Sequence, residues 1–359
     1  MEKPMIAAML SVSGLELTEN EKRLLEKSNP IGITLFKRNV KNKKQVKTLI
    51  RSVKEVIGRN DVLIAVDQEG GRVCRFDPPR WSPYVSQYSL GSLKGKEAEE
   101  ITYLHGTLIA ADLRELGVNW NYAPVLDVAY PDTTPALACR IFSSDEKKVA
   151  KYGQILLDTY QAYGICPCVK HLPGHGRAVV DPHLHLPILH QSLKELDKDF
   201  YPFHAVGQDA PAGMTAHIVI SEVDNKPVTQ SKKAIQTIIR DKIGFKGFLI
   251  SDAIDMKALG GSLTERIKTS LEAGCDAICY CFGIEDELQE VIRAARPLTD
   301  QAIERFDRIR HIIQQKQVKF DRQMACGRYE ELAKKTKSLM TDYDAVEILH
   351  KMKNGVCKD

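Results

Sequence analysis

An α/β chain closed into a parallel (β/α)8 barrel of TIM type is the fold this sequence predicts, on three observations. Eight apolar runs of strand length alternate with stretches of helical spacing between Met5 and Cys281, which is the count and order of a barrel. Asp67, Lys170, His217 and Asp252 each take the last position of one of those runs, and barrels keep their chemistry at that end of the strands. The turn after the first run, LSVSGLEL, makes a poor phosphate loop, which weighs against a doubly wound open sheet.

Taken in order, the strand runs are Met5 to Leu10, Gly32 to Phe36, Val62 to Asp67, Val118 to Pro124, Cys166 to Lys170, Gly213 to His217, Gly247 to Asp252 and Asp276 to Cys281. Most are continuously apolar, as strands covered on both faces are. Between them Asn42 to Ile57, Lys96 to Leu116, Glu146 to Tyr163, Leu193 to Val206, Lys232 to Ile243 and Thr264 to Ala273 repeat apolar residues at three and four, the helical period. Ser144 and Asp145 suit a helix start, and Gly117, Gly164, Gly244 and Gly274 stand where helices end. After Gly283 come charge-rich amphipathic segments, Glu285 to Ala295, Asp300 to Lys316 and Arg328 to Leu339. No linker, composition shift or internal repeat divides the chain. Residues 1–359 therefore read as one domain, with the barrel over about 5–283 and C-terminal helices over 284–359.

Composition narrows the class of function. The formal charge of +4 is small beside 51 Lys and Arg and 47 Asp and Glu, and no basic run alternates with aromatics, so nucleic acid is not an expected partner. No stretch approaches the roughly 20 apolar residues of a membrane helix, and the N-terminal apolar run lacks a cleavage site of small residues. Nine cysteines, an odd number scattered through apolar runs, read as reduced core thiols rather than a disulfide framework. The expected location is cytoplasmic.

The chemistry concentrates in KHLPGHGRAVVDPHLHLP, Lys170 to Pro187. An apolar run feeds into it, Pro173, Gly174 and Gly176 break it into a loop, and the loop carries Lys170, His171, His175, Asp181, His183 and His185. One histidine there would read as a satisfied surface group. Four of them, with a lysine and an aspartate, read as a reaction site.

Five further motifs fall in order around it: DQEGGRV (Asp67 to Val73), APVLDV (Ala123 to Val128), MTAH (Met214 to His217) and ISDAIDMKAL (Ile250 to Leu259), with DPHLHLP (Asp181 to Pro187) closing the loop itself. With KHLPGHG they resemble the signature of glycoside hydrolase family 3, specifically its single-domain bacterial β-N-acetylhexosaminidases of the cell-wall recycling type. The resemblance covers Met5 to Phe282. It implies a retaining, exo-acting, cofactor-free enzyme that removes terminal β-linked N-acetylglucosamine, with a small glycan or muropeptide as substrate; separately, a monomer is the expected working form. It assigns Asp252 as nucleophile, His183 as general acid/base and Asp181 as the carboxylate that orients His183. Asp67, Arg75, Arg140, Lys170 and His171 become the sugar clamp, and no metal is implied.

The residues make chemical sense in these roles. Retaining hydrolysis needs a carboxylate to trap an oxocarbenium-like centre and an acid to protonate the leaving oxygen. A strand-end aspartate such as Asp252 is rigidly held, although an isolated Ser-Asp pair is often only a helix cap. Histidine gives and takes protons near neutral pH, and a carboxylate two residues away steadies its ring. Asp255 belongs to the first turn after the strand, where an acid suits the helix dipole. Glu69, His175 and His217 read as supporting groups, and His185 as packed or solvated. Two positions depart from the family pattern. ALACRIFSSD lacks the usual Gly-Asp before Arg140, and Pro182 stands where Ser is common.

Three rivals remain on sequence alone. His183, His185, His217, Lys170 and Asp252 resemble the ligands of a barrel metallohydrolase, but such HxH pairs belong to an early strand. A non-catalytic sugar-binding protein needs no Asp252 with an Asp181–His183 pair. Within the family, a β-glucosidase or a phosphorylase is the alternative.

Overall fold

The apolar runs become strands because both of their faces are covered. Pro30–Leu35 is buried at every residue, as parallel strands between a packed interior and an outer ring of helices must be. The structure, a computed structural model, describes residues 3–182, 185–316 and 318–339. Its strands are β1 (Ile6–Leu10), β2 (Pro30–Leu35), β3 (Leu63–Val66), β4 (Trp120–Asn121), β5 (Cys166–Leu172), β6 (Ile188–Leu189), β7 (Ala212–Thr215), β8 (Val219–Ile220), β9 (Phe248–Ala253) and β10 (Ala277–Cys279). Eight of them close a barrel in the order β1-β10-β9-β7-β5-β4-β3-β2. Every pairing in it is parallel, and closure comes from β1, which pairs with β2 on one side and β10 on the other. The predicted (β/α)8 architecture is the observed one.

The two remaining strands, β6 and β8, form a parallel ribbon outside the barrel, pairing Ile188 with Val219 and Leu189 with Ile220. Runs this short carry no period, so they were not expected from sequence. Their effect is to tie the end of the Lys170 to Pro187 loop to the chain just after β7.

Helix boundaries follow local chemistry. Asp145 caps Glu146–Ala162, its side chain accepting from Lys147 N–H at 2.9 Å, and Gly117 ends Gly95–Leu116 in the left-handed region at φ 92°. Three α-helices were not expected from the sequence, one of them the four-residue Pro135–Ala138. Glu19–Ser28 starts on a capping box between Thr18 and Glu21, and Gln87–Ser92 is a single short segment capped by Ser86. The last described helix is a correction: expected over Arg328 to Leu339, it runs Arg322–Ala333. Asp321 sets its start by accepting from Met324 N–H at 3.0 Å, and the sparse apolar pattern there hides the register. Tyr329 from this helix is buried, its ring centroid 6.0 Å from that of His105 on the helix Gly95–Leu116.

Candidate active site

At the C-terminal ends of the strands, the barrel gathers the predicted polar residues within two positions of where the sequence placed them. Asp67 follows β3, Lys170 lies two residues inside the end of β5, Asp252 is the penultimate residue of β9, and His217 follows β7 by two. Asp67, Arg75, Arg140, Lys170, His171 and Asp252 all line one open pocket at this rim. Six of the eight predicted site residues are thus brought together. Asp181 is buried on the loop above, and His183 lies outside the described residues.

The floor of the pocket is a chain of alternating charges. Lys170 Nζ is 2.8 Å from Asp67 Oδ1 and 2.6 Å from Glu69 Oε1, while both Lys170 and Glu69 are almost wholly buried. Asp67 Oδ2 takes a second contact from Arg75 Nη2 at 3.2 Å. Glu69 is gripped by Arg140 through both carboxylate oxygens, Nε–Oε2 at 2.9 Å and Nη2–Oε1 at 2.8 Å, the fork geometry that makes arginine pairs strong. Burial alone would push these carboxyls up, yet Lys170 with Arg75 holds Asp67 below its usual value, and Arg140 with Lys170 holds Glu69 well below its own. Burial likewise opposes the Lys170 ammonium, but Asp67 and Glu69 raise it. Asp67, Glu69 and Lys170 therefore stay charged across the neutral range, and Asp67 and Lys170, which line the pocket, can each offer a charge-assisted hydrogen bond to a hydroxyl.

A third carboxylate orders the histidine. Beyond β4 the backbone continues beside β5, with Leu126 N–H donating to Lys170 O at 2.7 Å, and this brings Asp127 under the loop. Asp127 Oδ2 lies 2.7 Å from His171 Nδ1, and Oδ1 accepts the His175 N–H at 2.6 Å. An ionised carboxylate accepts only, so Nδ1 of His171 bears the hydrogen toward Asp127. His171 Nε2 faces Arg140 Nη2 at 3.4 Å, and because a guanidinium only donates, Nε2 is the acceptor of that contact. His171 therefore enters the pocket as a hydrogen-bond acceptor with a fixed tautomer.

Glycines let the loops come this close. At Gly176 a Cβ would meet Val128 O at 1.8 Å, and Gly70, at φ 100°, would press a Cβ on Val85 O at 2.2 Å. The loop after β5 is then pinned to its neighbours. Thr133 Oγ1 donates to Gly176 O at 2.6 Å, Thr134 N–H to Ala178 O at 3.0 Å, and Ala258 N–H to Pro182 O at 3.2 Å. That last bond joins the residue before His183 to the segment following Asp252.

The supporting histidines divide. His217 is a satisfied core group, with Nδ1 2.7 Å from Thr229 Oγ1 and Nε2 2.9 Å from Ala253 O. His185 is exposed. His175 is buried and its ring nitrogens have no hydrogen-bond partner among the described residues; burial and the neighbouring His171 push it down to about 4. Asp252 accepts from Ala253 N–H through Oδ1 at 2.7 Å, so its carboxylate is fixed by its own strand end. The sequence reading left Asp127 without a role and gave Glu69 only a supporting one. The available signal was an acid embedded in each apolar motif, APVLDV and DQEGGRV, because a buried acid needs partners.

Comparison with known proteins places the chain in a family. The family model described as the glycosyl hydrolase family 3 N-terminal domain matches residues 3–314. A β-hexosaminidase of Neisseria meningitidis serogroup C is 37% identical over 295 residues, covering 79% of this chain and 81% of that protein. A β-hexosaminidase of Bordetella avium is 32% identical over 302 residues, 82% of this chain and 86% of the relative. Among solved structures, NagZ of Neisseria gonorrhoeae in complex with N-trifluoroacetyl-D-glucosamine superposes with a TM-score of 0.81 at 31% identity, covering 92% of this chain and 98% of that one. On a match of this extent, the chain belongs to glycosyl hydrolase family 3.

Proposed function

We propose that this protein is a retaining, exo-acting β-N-acetylhexosaminidase that removes terminal β-linked N-acetylglucosamine without a cofactor. The observation that carries the reading is the convergence of Asp252 with five charged or hydrogen-bonding clamp residues in one rim pocket. The β-hexosaminidase names of the relatives and the N-acylated sugar bound by the gonococcal structure support it. Asp67, Arg75, Arg140, Lys170 and His171 hold the ring hydroxyls and place the anomeric carbon against Asp252. Asp252 attacks that carbon and forms a covalent glycosyl ester. His183, oriented by Asp181, gives its proton to the departing oxygen and then removes one from the water that releases the sugar.

The natural substrate is an N-acetylglucosaminyl muropeptide of cell-wall recycling, cleaved in the cytoplasm by a monomer. The substrate assignment rests on the family resemblance. Among the described residues no helix is long and apolar enough to cross a membrane. The deciding experiment compares nitrophenol release from the β-N-acetylglucosaminide with release from the β-glucoside, following the anomer first formed. Preference for the former with retention is expected. Equal rates, or an inverted first product, would overturn the reading.

A further inference from the structure

The sugar pocket has a second chemistry on its wall, from two side chains the hydrolytic reading does not use. Cys279 ends β10 and Cys281 follows two positions on, so strand alternation turns both side chains to the same face. Both line the pocket that holds Asp67 and Asp252. Their sulfur atoms are 3.7 Å apart. Two metal–thiolate bonds of about 2.3 Å meeting at a tetrahedral angle span about 3.8 Å between sulfurs. The two thiols therefore already stand at the separation of a chelating pair.

From this spacing we infer that Cys279 and Cys281 form a two-thiolate binding site for a soft divalent cation inside the sugar pocket. The backbone around the pair is held in place: Cys281 N–H donates to Asp255 Oδ1 at 3.3 Å, and Cys281 O accepts from Arg38 Nη2 at 2.6 Å. Cys279 Sγ rests 3.8 Å from both Thr34 Oγ1 and Tyr122 OH, rotatable hydroxyls that hold it only weakly. Among the described residues no cluster of three or more His, Cys, Asp or Glu is arranged for a metal. The pair thus supplies two ligands, and water fills the other positions. Two sulfur donors select cadmium, mercury or zinc over magnesium and calcium. On binding, each S–H bond breaks, its proton passes to solvent, and the sulfur lone pair forms the bond to the metal; no electron changes hands. A cation held there occupies the space of the sugar beside Asp67 and Asp252.

The test uses the full chain, free of added thiols and chelators, with cadmium as probe. One cadmium per chain by equilibrium dialysis is expected, together with a thiolate-to-cadmium charge-transfer band. Cys279→Ser and Cys281→Ser should each weaken binding at least tenfold and abolish most of the band, whereas Cys326→Ser, at the only other partly exposed cysteine among the described residues, should keep both. In the wild type, one equivalent of cadmium should slow iodoacetamide alkylation of Cys281, read by peptide mass, and this arm needs no variant to fold. An undiminished band in both serine variants, or unprotected Cys281, would overturn the inference. These readouts do not involve glycoside cleavage, so the dithiol site and the hydrolase reading fail separately.

Discussion

Glu69 is the residue on which the pocket's charges balance. It neutralises Arg140 by a fork and shares Lys170 with Asp67, all away from water. Glu69→Gln keeps the shape and removes the charge, which leaves two buried cations short of a partner. Breaking a buried pair on one side costs about 3–5 kcal/mol. The expected outcome is a urea midpoint lowered by an amount of that order and a fall in kcat/KM; an unchanged midpoint would show that water compensates the cations. Asp127 acts on one atom instead. By accepting from His171 Nδ1 it leaves Nε2 as an acceptor toward the pocket. Asp127→Asn allows the opposite tautomer, as loss of a carboxylate does for any histidine it orients. It should cost roughly 1–3 kcal/mol in kcat/KM. Equal kinetics in variant and wild type would mean that the tautomer of His171 is irrelevant to binding.

At the scale of elements, the loop after β5 and the last described helix support the site in different ways. The loop is bonded to two neighbouring segments, at Thr133 and Thr134 and at Ala258 beyond Asp252, so it presents Asp181 from a braced position. If His183 is its proton donor, His183→Ala should harm natural disaccharides more than activated aryl glycosides by roughly 10²–10⁴-fold, the usual worth of general acid help. Equal losses on both substrates would reduce His183 to a structural role. The helix Arg322–Ala333 works through a relay. Tyr329 OH accepts from Val85 N–H at 3.0 Å and lies 3.0 Å from His105 Nδ1, while His105 Nε2 lies 3.0 Å from Glu69 O. A backbone carbonyl only accepts, so His105 donates to Glu69 and receives from Tyr329. Tyr329→Phe strips two buried groups of their partner and should cost about 1–3 kcal/mol. The check is its unfolding midpoint; a wild-type value would show that the relay adds nothing.

Across the whole molecule these buried groups predict how stability follows pH. Burial lowers His105 and His175 from an ordinary 6.5 to about 4. Above pH 6.5 both are neutral whether folded or unfolded, and neither contributes to the pH dependence. Between 6.5 and 4 the unfolded chain takes up protons that the folded one refuses, so stability falls, by on the order of 3 kcal/mol for each histidine at the lower end. Asp67, Glu69 and Asp127, all lowered, contribute in the other range: their support is present above the ordinary carboxylate values and is lost as the pH drops through them. Urea midpoints should therefore decline already between pH 7 and 5, before carboxylates titrate. A flat midpoint over that interval would contradict the burial of both histidines.

What the amino-acid sequence determined by itself was the barrel and the identity of the rim residues. Continuous apolar runs can satisfy their backbone and bury both faces only in a covered parallel sheet, and a strand's end projects its last side chains to the same rim in every such barrel. Asp67, Lys170 and Asp252 were legible for that reason, whatever lay beside them in space. The tertiary structure alone decided which groups meet. Glu69 and Arg140 are 71 positions apart, Asp127 and His171 are 44 apart, and Tyr329 reaches His105 across 224. No period or spacing reports an ion pair formed across strands, because its energy depends on distance and shared burial, not on separation along the chain. The tautomer of His171 and the 3.7 Å approach of Cys279 and Cys281 likewise arise only when folded segments fix neighbouring side chains against one another.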